Sequence, residues 1–198
     1  MINDKAIVDK NSKLDSSVEV GPFSIIGKEV KIGKNVKILS HVNITGDTSI
    51  SDECEIYSFA SIGSNPQDLK FKGEKTKLII GKKNKIREYV TINPGTAHGG
   101  GLTSIGDNCL IAANCQIIDC NGHDLSFDNV DNRINTQGHA KAVVIENSVW
   151  LGTGVVVLPG VTIGRGSIIS ANSVVNCDVP PMCVAGGNPL QIIKQIKQ

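Results

Sequence analysis

Large rings are scarce in this chain: one Trp, two Tyr and four Phe among 198 residues put aromatic content at 4%, too little for a wide core and suited to a narrow interior. Charge of one sign is missing too. Lys and Arg number 20 against 19 Asp and Glu, and a formal net charge of +1 argues against general nucleic-acid binding and against a polybasic membrane anchor. No apolar run approaches the length that spans a bilayer, so no membrane insertion is expected. The opening Met1-Ile2-Asn3-Asp4-Lys5 is polar and unlike a signal peptide, and the expected location is cytoplasmic. Six cysteines are present but no C-x-x-C pair, so spacing indicates neither a disulfide framework nor a ligand set, and no metal is expected.

What is abundant is a period of six. Val8, Leu14, Val20, Ile26, Ile32, Ile38, Ile44, Ile50, Ile56 and Ile62 follow one another at six-residue intervals without exception. The series resumes at Ile80, Ile86 and Ile92, at Ile105, Ile111 and Ile117, and at Ile145, Leu151, Val157, Ile163, Ile169 and Val175, giving 22 hexads. A helix would repeat its apolar residues every three and four positions and a half-buried strand every two; six is a short strand plus a corner, repeated. Two places before each aliphatic sits a small or β-branched residue such as Val30, Val36, Thr48, Ala60, Val149 or Ser173, and Cys54, Cys109 and Cys115 fall on this position as small core residues. Glycine often follows the aliphatic, as at Gly21, Gly81, Gly106 and Gly152, which suits either a positive φ or a close backbone approach. Three hexads per turn predict a parallel β-helix of about seven coils over residues 1–178, an all-β solenoid in which each coil buries its aliphatics on the next.

Three loops interrupt the frame, and a loop ejected from a regular scaffold is where function is sought. Residues 64–78 carry Lys70, Lys72, Lys75 and Lys77; with Lys82, Lys83, Lys85 and Arg87 they place eight of the 20 basic residues within 18 positions. That cluster suggests an anionic ligand such as a diphosphate, with a solvated lysine-rich face as an equal alternative. Residues 93–104 contain Gly99-Gly100-Gly101, either exposed amides for a ligand or a flexible connector. Residues 118–144 hold His123 and His139, with Asp119 and Asp124 near enough in sequence to orient an imidazole serving as general base. After Asp178-Val179-Pro180-Pro181 the ladder cannot continue. Asn188-Pro189 then predicts a short helix with Ile192, Ile193 and Ile196 on one face, part of a cap over residues 179–198.

The hexads and their interruptions resemble the left-handed β-helix acyltransferases of the hexapeptide-repeat superfamily. Gly21-Pro22-Phe23, Glu55 to Gly63, Gln67-Asp68-Leu69-Lys70-Phe71-Lys72-Gly73-Glu74, Ile86-Arg87-Glu88 and Gly99 to Thr103 are similar to the UDP-N-acetylglucosamine acyltransferases of lipid A synthesis. Val149-Trp150-Leu151-Gly152, Leu158 to Gly164, Asp178 to Pro181 and Gly187-Asn188-Pro189 resemble instead the galactoside, maltose and capsule-type sugar acetyltransferases. Against the lipid A branch, Ile118 stands where that family has its catalytic histidine; against the sugar acetyltransferases, His123 stands at the base.

The resemblance therefore implies a cell-surface polysaccharide enzyme using acetyl-CoA, with His123 taking the proton of the acceptor in a direct transfer. The pantetheine arm is expected along Trp150, Gly152, Thr153 and Ala171, with phosphate contacts from Arg165 or Lys194. A nucleotide-activated sugar is expected at Gln67, Asp68, Lys70 and Arg87. Partners are two further copies in a homotrimer whose sites lie between subunits. N-acetylation is slightly favoured over O-acetylation, and an acyl-carrier-protein donor, an acyl-enzyme on Cys120 and a purely structural scaffold are the alternatives. A metal-dependent hydratase of the same fold needs a histidine pair five residues apart, which His41, His98, His123 and His139 do not supply.

Overall fold

Every one of the 22 aliphatic hexad positions ends a strand in the computed structural model, which describes residues 1–123 and 129–196. Most strands are two residues long, from Ile7–Val8 to Val174–Val175; Asp47–Ile50, Lys77–Ile80 and Leu102–Ile105 have four. Consecutive strands pass in turn to three sheets of seven, nine and eight strands, so each strand pairs with its equivalent one coil away. The register follows the hexads: Ile50 faces Ile80, Ile80 faces Ile105, and Ile105 faces Ile145, all in parallel. The molecule is a left-handed parallel β-helix, a three-faced prism whose seven-stranded face counts the expected coils.

The interior is as narrow as the composition implied. Ile44, Ile62, Ile80, Ile86 and Ile111 are fully buried, each contributing about 1.5–3 kcal/mol of hydrophobic stabilisation. Val30, Val36, Cys54 and Cys115 fill the position two residues earlier, equally buried. Burial pushes the thiols of Cys54, Cys109 and Cys115 up to about 11, which leaves them as inert packing. Asn84 is a polar member of this row, and its amide is satisfied by the carbonyls of Gly81 at 2.9 Å and Gly106 at 2.8 Å and by the Cys109 N–H at 2.7 Å.

At Gly21, Gly81, Gly106 and Gly152 the reason for glycine after the aliphatic is close approach, whereas Gly63 takes a positive φ of 73°. A Cβ on Gly152 would stand 2.6 Å from the Ala171 nitrogen of the next coil. The left-handed backbone falls two places later instead, on Asn108 and Asn114 at φ 56° and 62° and on Asn172 at 57°; asparagine tolerates this region better than most side chains.

The C-terminal helix is not formed. Cys183–Gly186 continues the nine-stranded face beyond residue 178, pairing Val184 with Ile168, and Gln191–Gln195 returns antiparallel along it, pairing Lys194 with Val184. So short a helix has few internal bonds to offset nucleation. A strand finds ready partners on the open edge of Cys183–Gly186, and Ile192 and Ile193 are β-branched. With the frame thus resumed, Cys183 occupies the small core position and is fully buried.

The lysine cluster is also resolved in part. Lys82, Lys83 and Lys85 reach back one coil to Asp52, Glu53 and Glu55 at 3.6, 3.8 and 3.7 Å, a solvated ladder of exposed pairs each worth about 0–1 kcal/mol.

A candidate active site where three insertions meet

The three breaks follow Ile62, Ile92 and Ile117, each the end of a strand on the eight-stranded face, and each rejoins the seven-stranded face. They therefore leave from one corner on three successive coils, and they pack together there.

The third insertion is closed at its neck by an antiparallel bridge between Cys120 and Ala140, with the Asn121 N–H on the His139 carbonyl at 2.9 Å. A helix, Val130–Asn135, forms within it, capped by the Asn129 side chain, which accepts from the Asn132 N–H at 2.7 Å. Lys70 from the first insertion ties the two together. Its ammonium donates to the Gly122 carbonyl at 2.6 Å and the Ile134 carbonyl at 3.3 Å and pairs with Asp68 Oδ1 at 2.9 Å. Gly122 is needed at this contact: its φ is +75° and a Cβ would stand 2.4 Å from the Gln67 carbonyl oxygen. The second insertion is fastened by Thr96, whose N–H and Oγ1 both donate to Asp119 Oδ2, the hydroxyl at 2.8 Å. His98 Nε2 lies 3.3 Å from the Gly138 carbonyl, and Gly138 packs so closely on the His123 backbone that a Cβ would stand 2.8 Å from its nitrogen.

A cavity of about 730 Å³ opens between these loops, lined among others by Asp68, Lys70, Thr96, His98, Asn135 and Gln137. Its charges are unequal. Burial alone would raise the Asp68 carboxyl, but the side-chain and backbone hydrogen bonds from Lys70 outweigh it and hold Asp68 below the usual range. Asp119, 1% exposed, is raised by burial despite its Thr96 hydrogen bonds, and its Oδ1 has no partner among the described residues. Cys120 is likewise raised by burial, with the Gly122 N–H on its sulfur at 3.2 Å, so it is a poor nucleophile.

The structure brings some of the anticipated residues together and separates others. Gln67, Asp68, Lys70 and His123 share this corner. Asp119 does not orient His123, since its hydrogen bonds go to Thr96; His123 Nδ1 is buried with no partner among the described residues, and Asp124 lies outside them. Lys70 is a brace with its three donors engaged, not an open hook for an anion. Arg87 follows Ile86 at the corner between the nine- and eight-stranded faces, where Glu88 holds it at 2.9 Å and its guanidinium covers the Tyr57 ring at 4.3 Å.

Trp150, Gly152, Thr153 and Ala171 gather at that same second corner, with the Asn172 N–H on the Thr153 carbonyl at 2.8 Å. Lys194 reaches the outer side of the nine-stranded face, in register with Val184, Ile168 and Trp150. Arg165 stands apart at the third corner, its N–H on Glu146 at 2.7 Å. Sequence reading missed Thr96 and His98. The signal was in the spacing of the breaks, because three hexads separate each from the next and three hexads are one coil.

A family model described as bacterial transferase hexapeptide (six repeats) matches residues 142–177. The acyl-[acyl-carrier-protein]–UDP-N-acetylglucosamine O-acyltransferase of Herminiimonas arsenicoxydans is 46% identical over 191 residues, covering 95% of this chain and 70% of that protein. The protein of the same name from Paracoccus denitrificans is 44% identical over 132 residues, and there the chain spans about half the relative's length, 49%. Among solved structures, UDP-N-acetylglucosamine acyltransferase from Campylobacter jejuni superposes with a TM-score of 0.76 at 28% identity, over 98% of this chain and 75% of that one. A galactoside acetyltransferase in complex with coenzyme A superposes with a TM-score of 0.57 at 32% identity, over 76% of this chain and 65% of that one.

Proposed function

The chain belongs to the hexapeptide-repeat family that contains the UDP-N-acetylglucosamine O-acyltransferases, and on that premise we propose that it transfers an acyl group from a phosphopantetheine thioester to the sugar of a UDP-linked, N-acetylglucosamine-type acceptor. The observation that carries this reading is the convergence of all three insertions on one corner around a cavity of about 730 Å³ that holds Asp68 of the Gln67–Lys70 loop. Relatives covered over 70% of their length carry acyl-carrier-protein donors in their names, which favours such a donor over acetyl-CoA. Acetyl-CoA and amine acceptors form the second reading, supported by Trp150-Leu151-Gly152 and the following coils and by the likeness to the galactoside acetyltransferase.

In either case the acceptor oxygen or nitrogen attacks the thioester carbonyl, His123 accepts the proton, a backbone amide holds the oxyanion, and the thiol leaves. Among the described residues His123 Nδ1 is buried with no hydrogen-bond partner. Cys120 is not required, and its buried thiol disfavours an acyl-enzyme.

Gln67, Asp68, Lys70 and His123 lie at one edge of the eight-stranded face, and Trp150, Gly152, Thr153 and Ala171, with Arg87 beside them, at the other. Reacting groups must approach to about 3–3.5 Å. Two chains packed side by side would bring one corner of each together, which supports a homotrimer with shared sites.

The test is a thiol-release screen that crosses acetyl-CoA and acyl-acyl-carrier-protein with UDP-N-acetylglucosamine, UDP-linked amino sugars and simple galactosides. Release that requires a UDP-sugar supports the proposal, and the donor that works decides between the two readings. Release with galactosides alone, or with no pair at all, contradicts it.

A further inference from the structure

Each insertion contributes one metal-ligating side chain to a single cluster. Among the described residues, Asp68 from the first, His98 from the second and Cys120 from the third have ligand atoms all within 4.8 Å of one another. We propose that these three side chains bind a zinc-class divalent cation, with an open coordination position facing the cavity.

The ligand chemistry fits. A carboxylate, an imidazole and a thiolate are the three donor types that zinc takes at about 2.0–2.3 Å in tetrahedral sites, and such a site holds its ligand atoms about 3.3–3.7 Å apart. The Cys120 sulfur already stands 4.0 Å from Asp68 Oδ2 and all three ligand atoms lie within 4.8 Å of one another, so each pair has to close by no more than about 1.5 Å on a cation. The supporting contacts fit as well. The Gly122 N–H bonds the sulfur at 3.2 Å, the Gly138 carbonyl lies 3.3 Å from His98 Nε2, and the Lys70 ammonium and backbone N–H fix Asp68 Oδ1 at 2.9 and 3.0 Å, leaving Oδ2 for the cation. Partners of this kind orient ligands in metal sites.

Asp68 and Cys120 are buried while His98 is exposed on the cavity wall, so three ligands come from the protein and the fourth position opens toward solvent or a bound molecule. That is the arrangement of an accessible site and not of a closed structural one. Binding is balanced by one proton: the Cys120 thiol becomes a thiolate as the metal–sulfur bond forms, and the proton goes to solvent. Sequence spacing had no means of revealing the set, because the ligands are 30 and 22 positions apart in the chain and meet only through stacking of the coils.

Chelator-treated protein titrated with Co²⁺ is expected to bind one equivalent, with a sulfur-to-cobalt charge-transfer band and strong four-coordinate visible bands that Zn²⁺ abolishes by displacement. Cys120→Ser should remove the charge-transfer band, and His98→Ala and Asp68→Asn should each weaken Zn²⁺ affinity by at least about tenfold. His139→Ala, an exposed histidine outside the cluster, should leave spectrum and affinity unchanged, and circular dichroism confirms that each variant keeps its fold. A weak six-coordinate cobalt spectrum in the wild type, or a charge-transfer band that survives Cys120→Ser, would overturn the proposal. Because the readout is the metal itself, failure here is distinguishable from failure to find acyl transfer.

Discussion

Residues 1–62 and residues 63–145 are built from the same hexads with the same buried aliphatics, yet they differ in what leaves the corners. In the first stretch ten hexads run on without a break, and no connection between strands is longer than four residues. In the second, every passage from the eight-stranded to the seven-stranded face is expanded, and buried polar groups accumulate there: Asp68, Thr96, Asp119 and the Nδ1 of His123. The comparison teaches that the scaffold needs no chemistry to stand, and that the chemistry gathers where one corner is repeatedly opened.

The largest effect separating the two regions should come from His123→Ala, which we expect to lower turnover about 10²–10⁴-fold with the thermal midpoint unchanged, as measured by thiol release and calorimetry. The mirror experiment is Ile86→Ala in the coil core, which removes a fully buried side chain. It should cost about 2–5 kcal/mol by denaturant unfolding, whereas Leu69→Ala at a position 75% exposed in the first insertion should change stability by less than about 0.5 kcal/mol. Equal losses at the two sites would erase the distinction.

Between these lies Lys70→Met. It leaves the Gly122 and Ile134 carbonyls without their donor, a cost of about 1–3 kcal/mol. Hydrogen exchange should show the opening confined to the insertions, with the amides of Lys85–Ile86 and Leu110–Ile111 still protected.

The periodicity carried the scaffold because one residue type at one interval decides burial in every coil. Ile26 through Val175 behave as the six-residue count demands, and strand ends follow from it. It did not carry the tail, where Ile192 and Ile193 answer to the open edge of Cys183–Gly186 and not to local helix signals. Nor did it carry the site in full. His123, Gln67 and Asp68 were legible as residues of unusual loops, but His98 and Thr96 acquire meaning only from Gly138 and Asp119, which approach them through coil stacking. The pairing of Lys82, Lys83 and Lys85 was hidden for the same reason: Asp52, Glu53 and Glu55 lie one coil earlier.

The smallest expected effect sharpens the contrast between two carboxylates of the same site. Asp119 is raised by burial from 3.8, so its contribution to stability is present below that value and is lost as pH rises through its folded pKa. Asp119→Asn should therefore stand more stable than the wild type near about pH 7, with the gap closing below about pH 4. Asp68 runs the other way. Although burial opposes it, the Lys70 contacts lower its pKa, so its contribution is present above 3.8 and is lost as pH falls through the folded value. Unfolding curves of the two Asn variants across pH check both signs.

The most direct test of a site made from two corners on two chains is subunit complementation. His123→Ala disables the corner where the insertions meet, and Ala171→Trp blocks the exposed donor-side corner. Each variant alone should be inactive. Unfolded together in equal amounts and refolded, random trimers should recover about a quarter of wild-type activity, since one site in four joins two intact corners. A refolded mixture as inactive as its parents would contradict the shared site.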